Sequence, residues 1–357
     1  MRERRRFDYL TVAHEKARAG GLPFVRQVYE MTVLMLLRGI GPRYYHLARF
    51  WRPGIPLRTK LAHFSDGRYR REIARLNPAA YQKCSQHKVV EKAVLALFGL
   101  PTPRFLGFYH VIRGRTAASG PLRDSRDLEA LLREREGEVV CFKAVEGFGG
   151  GGFAALRVER SGDSTRLVHP LTGEVNSLQD WSRHLDRSPD GWLLEEYLEQ
   201  HETIRALNPD SLNTIRMWTL QRGGDFRVGG AFLRVGRAGS QVDNTSAGGL
   251  ACPIDIDSGR IASALDLTLS RNEYHNHPDT GARLVGTAIP HWPECLRLAG
   301  AALAVFPHMT FAGLDVAIGP AGPYVIELNV YPDKQGAAHI DLTHTEFFRA
   351  GQSGQSR

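Results

Sequence analysis

Apolar residues recur at helical spacing in the first hundred residues of the chain and at strand spacing in much of the remainder. The spacing predicts helices over 24–38 and 87–98, the first beginning after Pro23 and ending at Gly39. Apolar side chains fall on one side of helix 24–38, among them Phe24, Val28, Met31 and Met35. This helix either packs on the core of its own domain, which is the commoner arrangement, or lies on a membrane surface.

From about residue 101 the pattern becomes mixed. Alternating or β-branched runs predict strands over 139–145, 152–158, 192–198, 212–220, 226–235, 312–318 and 324–330. Helices are predicted over 125–135, 177–186 and 293–305, with Ser125 and Ser177 as N-caps of the first two. A βαβαβ alternation is absent, so the predicted fold class is α+β with antiparallel sheets.

Composition indicates a soluble globular protein of two or three domains, with 357 residues, 42% hydrophobic and 24% charged. The four cysteines show no C-x-x-C spacing, so we expect neither a zinc cluster nor a disulfide framework, and a reducing, cytoplasmic compartment. No signal peptide is predicted, and the most apolar run, 31–37, is far shorter than the roughly 20 residues that a membrane span needs. Residues 351–357 are predicted to form a loose tail.

Charge is concentrated at the front of the chain. Residues 1–88 hold 19 Lys plus Arg and 6 Asp plus Glu, or +13, in a chain of net charge +8, so the rest carries −5. A basic front end attracts an anionic substrate, anionic lipid or nucleic acid, although a solvated basic helical surface is the commoner meaning of such a pattern. No nucleic-acid recognition module accompanies the charge, so nucleic acid is not an expected partner.

The stretch VIELNVYPD, 325–333, interrupts a strand with Glu327 and Asn329, which project to the same face. The preceding run FAGLDVAI is joined to it by GPAGP, so the two runs predict a hairpin. With Ile318 opposite Tyr324, Asp315 lies opposite Glu327. The same register places Gly313 opposite Asn329, where the missing side chain leaves space.

Three oxygen donors on one face, Asp315, Glu327 and Asn329, are typical ligands of Mg²⁺. Two carboxylates so close repel each other unless a positive charge offsets them or one holds a proton. The alternative is a polar sheet face that is open to water. The apolar character of the opposite face favours the metal site.

A second segment, 138–158, reads as strand, glycine-rich turn and strand. The turn contains Gly147, Gly149, Gly150, Gly151 and Gly152, whose backbone N–H groups suit an anion nest. Lys143 lies just before the turn. The segment is neither a P-loop nor a dinucleotide fingerprint, and a flexible loop is the alternative.

In the order of these parts the sequence resembles the ATP-grasp superfamily, and within it the sugar-transfer-associated and glutamate-ligase-like branch. The resemblance covers about 88–333 and rests on KVVEKAVLALFGLPTP, FKAVEGFGGGGF, LLEEYLEQHETIRALNPDSLNTIRMWTL, DNTSAGG and GLDVAIGPAGPYVIELNVYPD. It implies an ATP-grasp fold, in which two α+β lobes clamp ATP, after a mainly helical N-terminal region. The implied divisions are a basic helical region over 1–100, a small lobe over 101–198, a large lobe over 199–345 and a flexible tail over 346–357.

The resemblance also implies ATP and two Mg²⁺ ions, with Asp315, Glu327 and Asn329 as metal ligands. Lys88 and Lys143 match lysines directed at ATP phosphates, under the glycine turn. Arg216 matches an arginine that contacts the transferred phosphate or the acyl substrate. The alternative role for Arg216 is a salt bridge at the rim of the sheet. Asn244 matches a loop near the metals, with Gly248 and Gly249. The remaining matches are to the adenine hinge and the ribose carboxylate: Glu195, Glu196, Tyr197, Leu198 and Glu202. One of the two adjacent glutamates is expected to be a solvated strand end.

The implied reaction is ATP-dependent ligation of a small-molecule carboxylate to an amine through an acyl phosphate, with amino-acid or sugar-linked substrates in cell-envelope or polysaccharide modification. A kinase acting on a sugar or polyol hydroxyl is the alternative enzyme, and a nucleotide-gated scaffold the non-catalytic one. The first 87 residues differ from the usual N-terminal domain of amino-acid ligases, so substrate identity does not transfer. Their basic charge suits a membrane-borne substrate and peripheral membrane contact. His275 and His277 are either zinc ligands or part of a surface loop, which is the commoner case.

Overall fold

The computed structural model describes residues 8–147, 152–162, 164–243 and 248–349. Three of the predicted nest glycines, Gly149, Gly150 and Gly151, lie outside these ranges, as do Asn244 and the predicted tail 351–357.

Seven helices open the described chain. Their bounds are α1 Asp8–Arg18, α2 Phe24–Arg38, α3 Pro42–Leu47, α4 Leu57–Lys60, α5 Asp66–Leu76, α6 Ala79–Gln86 and α7 Lys88–Leu97. The predicted limits of α2 are confirmed: Pro23 precedes its first turn, and Gly39 ends it in the left-handed conformation with φ of 64°. Helix α7 runs within the predicted span 87–98.

The first sheet has seven antiparallel strands in the order β2-β1-β7-β3-β4-β5-β6. The strands are β1 Phe105–Tyr109, β2 Arg115–Thr116, β3 Val139–Ala144, β4 Phe153–Ser161, β5 Ser164–Val168, β6 Val175–Ser177 and β7 Trp192–Glu196. Helices α8 Ser125–Leu132 and α9 Leu178–Leu185 pack on it, and a single 3₁₀ turn, Arg133–Arg135, follows α8. The predicted N-cap Ser125 is wrong: Asp124 caps α8 by accepting hydrogen bonds from the N–H groups of Arg126 and Asp127.

The second sheet has five antiparallel strands in the order β10-β9-β8-β11-β12. The strands are β8 Thr214–Arg222, β9 Asp225–Val235, β10 Leu250–Ile254, β11 Phe311–Gly319 and β12 Gly322–Asn329. The short helix α10 Glu202–Arg205 precedes this sheet, and α11 Trp292–Ala304 covers one of its faces. Two antiparallel sheets with helices packed on them confirm the predicted α+β class.

The predicted register of the β11–β12 hairpin is confirmed at the candidate metal ligands. Asp315 lies opposite Glu327, and Gly313 lies opposite Asn329. The predicted pairing of Ile318 with Tyr324 is wrong, because Ile318 lies opposite Pro323 and a bulge in β12 leaves Ile326 without a direct partner. Consequently Val325, rather than Ile326, packs in the core beside Val316.

The N-terminal helices dock on the edge of the second sheet. Asn77, after α5, donates through Nδ2 to the carbonyl oxygens of Phe311 and Val330, at 2.7 and 2.6 Å. The hydroxyl of Tyr69 donates to the carbonyl of Pro332 at 2.9 Å. Leu95 of α7 joins the core beneath the sheet. The strand β12 therefore does not present an open edge, since helices cover it.

A flexible tail is predicted from residue 346, but a helix occupies the first part of this segment. After α12 Gly336–His339, helix α13 His344–Arg349 buries Phe347 and Phe348 in a core with Trp218. The implied tail boundary at residue 346 is wrong because Phe347 and Phe348 supply apolar side chains to a core. Within the described ranges, no helix combines the length and apolar character that crossing a membrane demands.

Candidate active site

A cleft lies between the two sheets and brings together residues from both lobes. Six of the sequence-predicted site residues line it: Lys88, Lys143, Arg216, Asp315, Glu327 and Asn329. Side chains that the sequence did not single out complete the lining, among them Thr214, Arg234 and Asp243. The site is thus assembled from α7, β3, four strands of the second sheet (β8, β9, β11 and β12) and the loop that holds Asp243.

The polar side chains share one face of the second sheet because their backbone positions are paired. Asp315 on β11 lies opposite Arg216 on β8 and opposite Glu327 on β12. Directly opposed residues of an antiparallel sheet project to the same side. The other face of the same strands carries Leu314, Val316 and Ile215, which form the core.

Asp315 is buried and surrounded by arginine. Arg216 donates from Nε to one carboxylate oxygen at 2.5 Å and from Nη2 to the other at 3.1 Å, and Arg234 donates to the second oxygen at 2.8 Å. Burial alone would raise the pKa of Asp315, but the two guanidinium groups hold that pKa below its usual value. Arg216 is therefore a part-buried partner of the metal-ligand candidate rather than an ion pair at the rim.

Sequence reasoning missed Arg234, which completes this network. Its guanidinium donates to the Thr214 hydroxyl at 3.1 Å from Nε and lies 3.3 Å from the Asp243 carboxylate. Asp243 in turn accepts from the Thr214 N–H at 2.9 Å and from its hydroxyl at 2.5 Å. Partial burial would lower the pKa of Arg234, but Asp243 and Asp315 raise it, so this arginine stays charged.

The donor set fits a hard divalent cation. Glu327 is half-buried, and its nearest cationic partner, the Lys88 ammonium, is 3.7 Å away. Among the described residues no polar group competes for the side-chain carbonyl oxygen of Asn329, which lines the same cleft. Carboxylate and carboxamide oxygens are the ligands that Mg²⁺ prefers. Asp315 differs from Glu327 and Asn329 because its carboxylate already accepts hydrogen bonds from Arg216 and Arg234, which a bound metal ion would have to share.

The missing side chain of Gly313 is predicted to leave open space opposite Asn329, but protein atoms fill that space. A Cβ on Gly313 would come 2.7 Å from Cβ of Pro332 and 3.1 Å from Cδ of Arg216. The glycine therefore leaves room for the proline ring and for the aliphatic stem of Arg216. Its function is to let the arginine reach Asp315.

Two lysines project into the cleft from the small-lobe side. Lys88, the first residue of α7, donates from Nζ to the Gly147 carbonyl at 3.0 Å. Lys143 forms an ion pair with Glu195, whose second oxygen pairs with Lys92. Burial would lower the pKa of Lys143, but Glu195 raises it above its usual value. Lys143 thus keeps its positive charge at the cleft wall, and the Lys88 ammonium lies beside the Gly147 carbonyl.

The two adjacent glutamates take different positions. Glu195 is buried beneath Lys143 and Lys92, while Glu196 faces outward and pairs with Arg104, with Arg135 at 3.6 Å. The other predicted nucleotide contacts, Tyr197, Leu198 and Glu202, do not line the cleft, and Glu202 is the exposed first residue of α10. The structure therefore brings the phosphate-directed and metal-directed candidates together, but not the hinge and ribose candidates.

His277 is part of a buried turn. Its Nε2 bonds to the Gly236 carbonyl at 2.9 Å, and its Nδ1 accepts from the N–H groups of Asp279 and Thr280 at 3.3 and 3.2 Å. Both ring nitrogens are engaged with backbone, which leaves neither for zinc. Within the described ranges, no cluster of three or more His, Cys, Asp or Glu residues suited to a metal ion is found.

The family model described as sugar-transfer associated ATP-grasp matches residues 68–346. The chain belongs to this family. The match begins within α5, so the family unit includes the last helices of the N-terminal region together with both sheets.

Solved structures of similar fold were also found, with low overall superposition. An L-amino acid ligase from Bacillus licheniformis is 13% identical, covering 81% of this chain and 45% of its own, with a TM-score of 0.39. A D-alanine–D-alanine ligase from Bacillus anthracis is 12% identical, covering 70% and 57%, with a TM-score of 0.35.

An N5-carboxyaminoimidazole synthase from Aspergillus clavatus, solved with ADP and 5-aminoimidazole ribonucleotide, is 12% identical, covering 74% of this chain and 50% of its own, with a TM-score of 0.41. The chain therefore spans about half the length of these three proteins. A search of curated proteins found no match.

Proposed function

We propose that the protein is an ATP-dependent ligase that joins a carboxylate to an amine. The observation that carries the proposal is the convergence, on one cleft between two sheets, of two lysines with the set Asp315, Glu327 and Asn329. Membership in the ATP-grasp family supports ATP as the energy source. The small-molecule substrates we propose are an amino-acid or sugar-linked carboxylate and amine, used in cell-envelope or polysaccharide modification.

In the proposed reaction a carboxylate oxygen of the first substrate attacks the γ-phosphorus of ATP. The bond from that phosphorus to the bridging oxygen breaks, and ADP leaves. The amine nitrogen of the second substrate then attacks the acyl carbon of the acyl phosphate, the bond from carbon to the phosphate oxygen breaks, and phosphate leaves. The nitrogen gives up a proton, and an amide remains.

Charge placement is the main contribution of this chain's residues. Lys88 and Lys143 would neutralise phosphate oxygens, and the pairing of Lys143 with Glu195 fixes its ammonium at the cleft wall. Arg216 and Arg234 would orient the substrate carboxylate or the transferred phosphoryl group while they hold Asp315 ionised. Preorganised cations in a partly buried cleft act at low local dielectric, where their effect is large.

Two Mg²⁺ ions would be held by Asp315, Glu327 and Asn329, and would supply neutralisation of the triphosphate charge. The roles of Glu196, Tyr197, Leu198 and Glu202 as nucleotide contacts, and that of Asn244, remain part of the proposal. Gly149, Gly150 and Gly151 would contribute backbone N–H groups over the phosphates.

Trapping with hydroxylamine tests the reaction. The purified protein is incubated with ATP, Mg²⁺, hydroxylamine and a panel of amino-acid and sugar-linked carboxylates, and hydroxamate and ADP are measured. We expect hydroxamate in step with ADP for at least one acid, and none with Glu327→Ala. ADP release without hydroxamate, with a hydroxyl compound phosphorylated instead, would identify a kinase and overturn the ligase proposal.

A further inference from the structure

Helix α2 carries large apolar side chains on its outer face as well as on its inner face. The inner face buries Met31 and Leu34 together with Gln27 and Glu30, which are 0% and 1% exposed, whereas Val25 and Leu36 on the outer face are each 78% exposed. Burial of apolar area alone does not account for this outer face. The outward apolar residues, here called the α2 surface, are Val25, Tyr29, Met35, Leu36 and Leu37.

The inward polar groups of α2 make specific contacts that fix its rotation, although Oε1 of Gln27 has no hydrogen-bond partner among the described residues. Glu30 accepts from the Lys60 ammonium at 2.5 Å and from the Tyr45 hydroxyl at 3.0 Å. Gln27 donates from Nε2 to the carbonyl oxygens of Ala13 and Leu22, at 3.0 and 2.7 Å. Turning the outer face inward would leave a buried lysine and a buried hydroxyl without partners and would expose Met31 and Leu34, so the observed rotation is the more stable one. The exposure of the α2 surface is therefore built into the fold.

The α2 surface follows one side of the helix, with the exposed Thr32, whose hydroxyl donates to the Val28 carbonyl, between Tyr29 and Leu36. Val25, Tyr29 and Leu36 stand at positions i, i+4 and i+11, which share one side of an α-helix. Leu37 and Met35 flank this stripe at 65% and 53% exposure, and Leu10 of the adjoining α1 adds a side chain that is 42% exposed. Contiguous apolar surface of this kind marks an interaction site, unlike single exposed leucines.

Basic residues stand at both ends of the surface. Arg18 ends α1 just before α2, and Arg26 lies in its first turn, with its guanidinium 5.4 Å from the Tyr29 ring. At the other end, exposed Arg38 donates to the Leu61 carbonyl, beside exposed Arg58 of α4. Arg18, Arg26, Arg38 and Arg58 are all exposed, so positive charge lies at both ends of the apolar stripe.

We propose that the α2 surface docks on an anionic lipid bilayer. A helix of about 22 Å whose apolar stripe has cationic ends matches an interfacial helix, with leucines in the acyl boundary and arginines at the lipid phosphates. A stable protein interface takes roughly 20–30 residues from each partner. The α2 surface offers five large side chains and no groove, so it favours a lipid surface over a second copy of the chain.

Vesicle sedimentation of the full chain without nucleotide tests the proposal independently of ligase activity. The probes are phosphatidylcholine vesicles with and without one quarter phosphatidylglycerol, at low and physiological salt. We expect binding to the anionic vesicles only, weakened by salt. Leu36→Glu and the uncharged Leu36→Ser should each weaken this binding tenfold or more.

The matched control is Leu97→Glu on α7, since Leu97 is 80% exposed and its substitution changes the charge equally. It should bind vesicles as the unsubstituted chain does, and all variants should keep the same melting temperature. Absence of binding by the unsubstituted chain, or equal loss in the Leu36 and Leu97 variants, would overturn the proposal. A dimer in sedimentation velocity that dissociates with Leu36→Glu would also overturn it, in favour of a subunit interface.

Discussion

The carboxylate of Glu91 accepts a hydrogen bond of 2.6 Å from the backbone N–H of Leu328, the residue between Glu327 and Asn329. Glu91 lies on α7 and is buried, and burial together with the nearby Glu327 raises its pKa well above the usual range. A buried glutamate thus fixes the backbone of the strand that presents two metal-ligand candidates. Strand β12 lies at the edge of the described sheet, and the Glu91 carboxyl accepts from the Leu328 N–H on the unpaired side of that strand.

Replacement of Glu91 tests this positioning function. Glu91→Ala leaves the Leu328 N–H buried without an acceptor, so we expect a loss of about 1–3 kcal/mol in the free energy of unfolding. Glu91→Gln keeps an acceptor and should lose less. Chemical denaturation measures both, and the ATP-dependent activity of Glu91→Gln should exceed that of Glu91→Ala. Equal activity in the two variants would contradict a positioning role.

The pH dependence of the Glu91 variants has a defined sign. Because the pKa of Glu91 is raised on folding, the folded state holds its proton to higher pH than the unfolded state does. Stability is therefore lost as the pH rises above the ordinary glutamate pKa of about 4.5 toward the raised value. Glu91→Gln lacks this loss, so its melting temperature should improve relative to the unsubstituted chain as pH rises from 5 to 8. A constant difference would refute the raised pKa.

Glu195 and Glu196 provide a matched pair for the buried charge cluster. Glu195→Gln leaves the ammonium groups of Lys92 and Lys143 without their shared counter-ion in a buried setting, which should cost about 3–5 kcal/mol of stability. Glu196→Gln removes only ion pairs on the surface and should cost less than about 1 kcal/mol. Thermal denaturation of both variants at pH 7 measures the difference. Similar losses would mean that Glu195 is not the main anionic partner of the lysines.

Glu327 tests the metal site. Glu327→Gln should leave the fold intact, because the side chain is half-buried and its ion pair with Lys88 is long, at 3.7 Å. We expect ATP turnover to fall about 10²–10³-fold, in line with removal of one preorganised charge from a catalytic site. Binding of Mn²⁺ as a spectroscopic probe for Mg²⁺ should weaken in parallel. Glu199→Gln, at a carboxylate 73% exposed, is the control and should change neither measurement.

Gly313 tests the space that Arg216 needs. Gly313→Ala forces the new Cβ against Pro332 and the Arg216 stem, at 2.7 and 3.1 Å, so we expect a loss of about 1–3 kcal/mol and a fall in turnover. Gly224→Ala, in the β8–β9 turn of the same sheet, has open space around its Cβ and should be neutral. Denaturation and steady-state assays compare the two. An unimpaired Gly313→Ala would show that Arg216 does not depend on this gap.

The pairing of Asp315 with Glu327 is predicted correctly because two irregularities in the hairpin, a shorter turn and a bulge, shift the register in opposite directions. The sequence gives five turn-type residues between the strands, but in the structure the pairing continues to Gly319 and Gly322. That shortens the turn and shifts the register, and the bulge at Ile326 shifts it back before Glu327. Alternation of apolar and polar residues fixed the face of Glu327 and Asn329, whereas the bulge has no sequence signature that periodicity detects.

Arg234 was missed for the same physical reason. The GG pair at 223–224 marks a β8–β9 hairpin, but regular pairing from that turn would place Arg216 opposite Ala231 and Arg234 on the other face. A bulge at Gly229 changes the register so that Arg216 lies opposite Phe232, and Arg234 joins its face. Gly229 has no room for a Cβ, which would approach Phe347 of α13 to 2.2 Å. The bulge therefore depends on packing far along the chain, which local sequence does not reveal.

Two consecutive residues of α7 are anchored to different sheets. Glu91 holds β12 of the second sheet, while Lys92 holds Glu195 on β7 of the first and donates to the Pro103 carbonyl at 2.5 Å. Helix α7 thus ties the two sheets together, and a relative movement of the sheets that separated either pair would break a buried contact. Since Lys88 begins the same helix, a ligand bound to its ammonium would contact the element that joins both sheets.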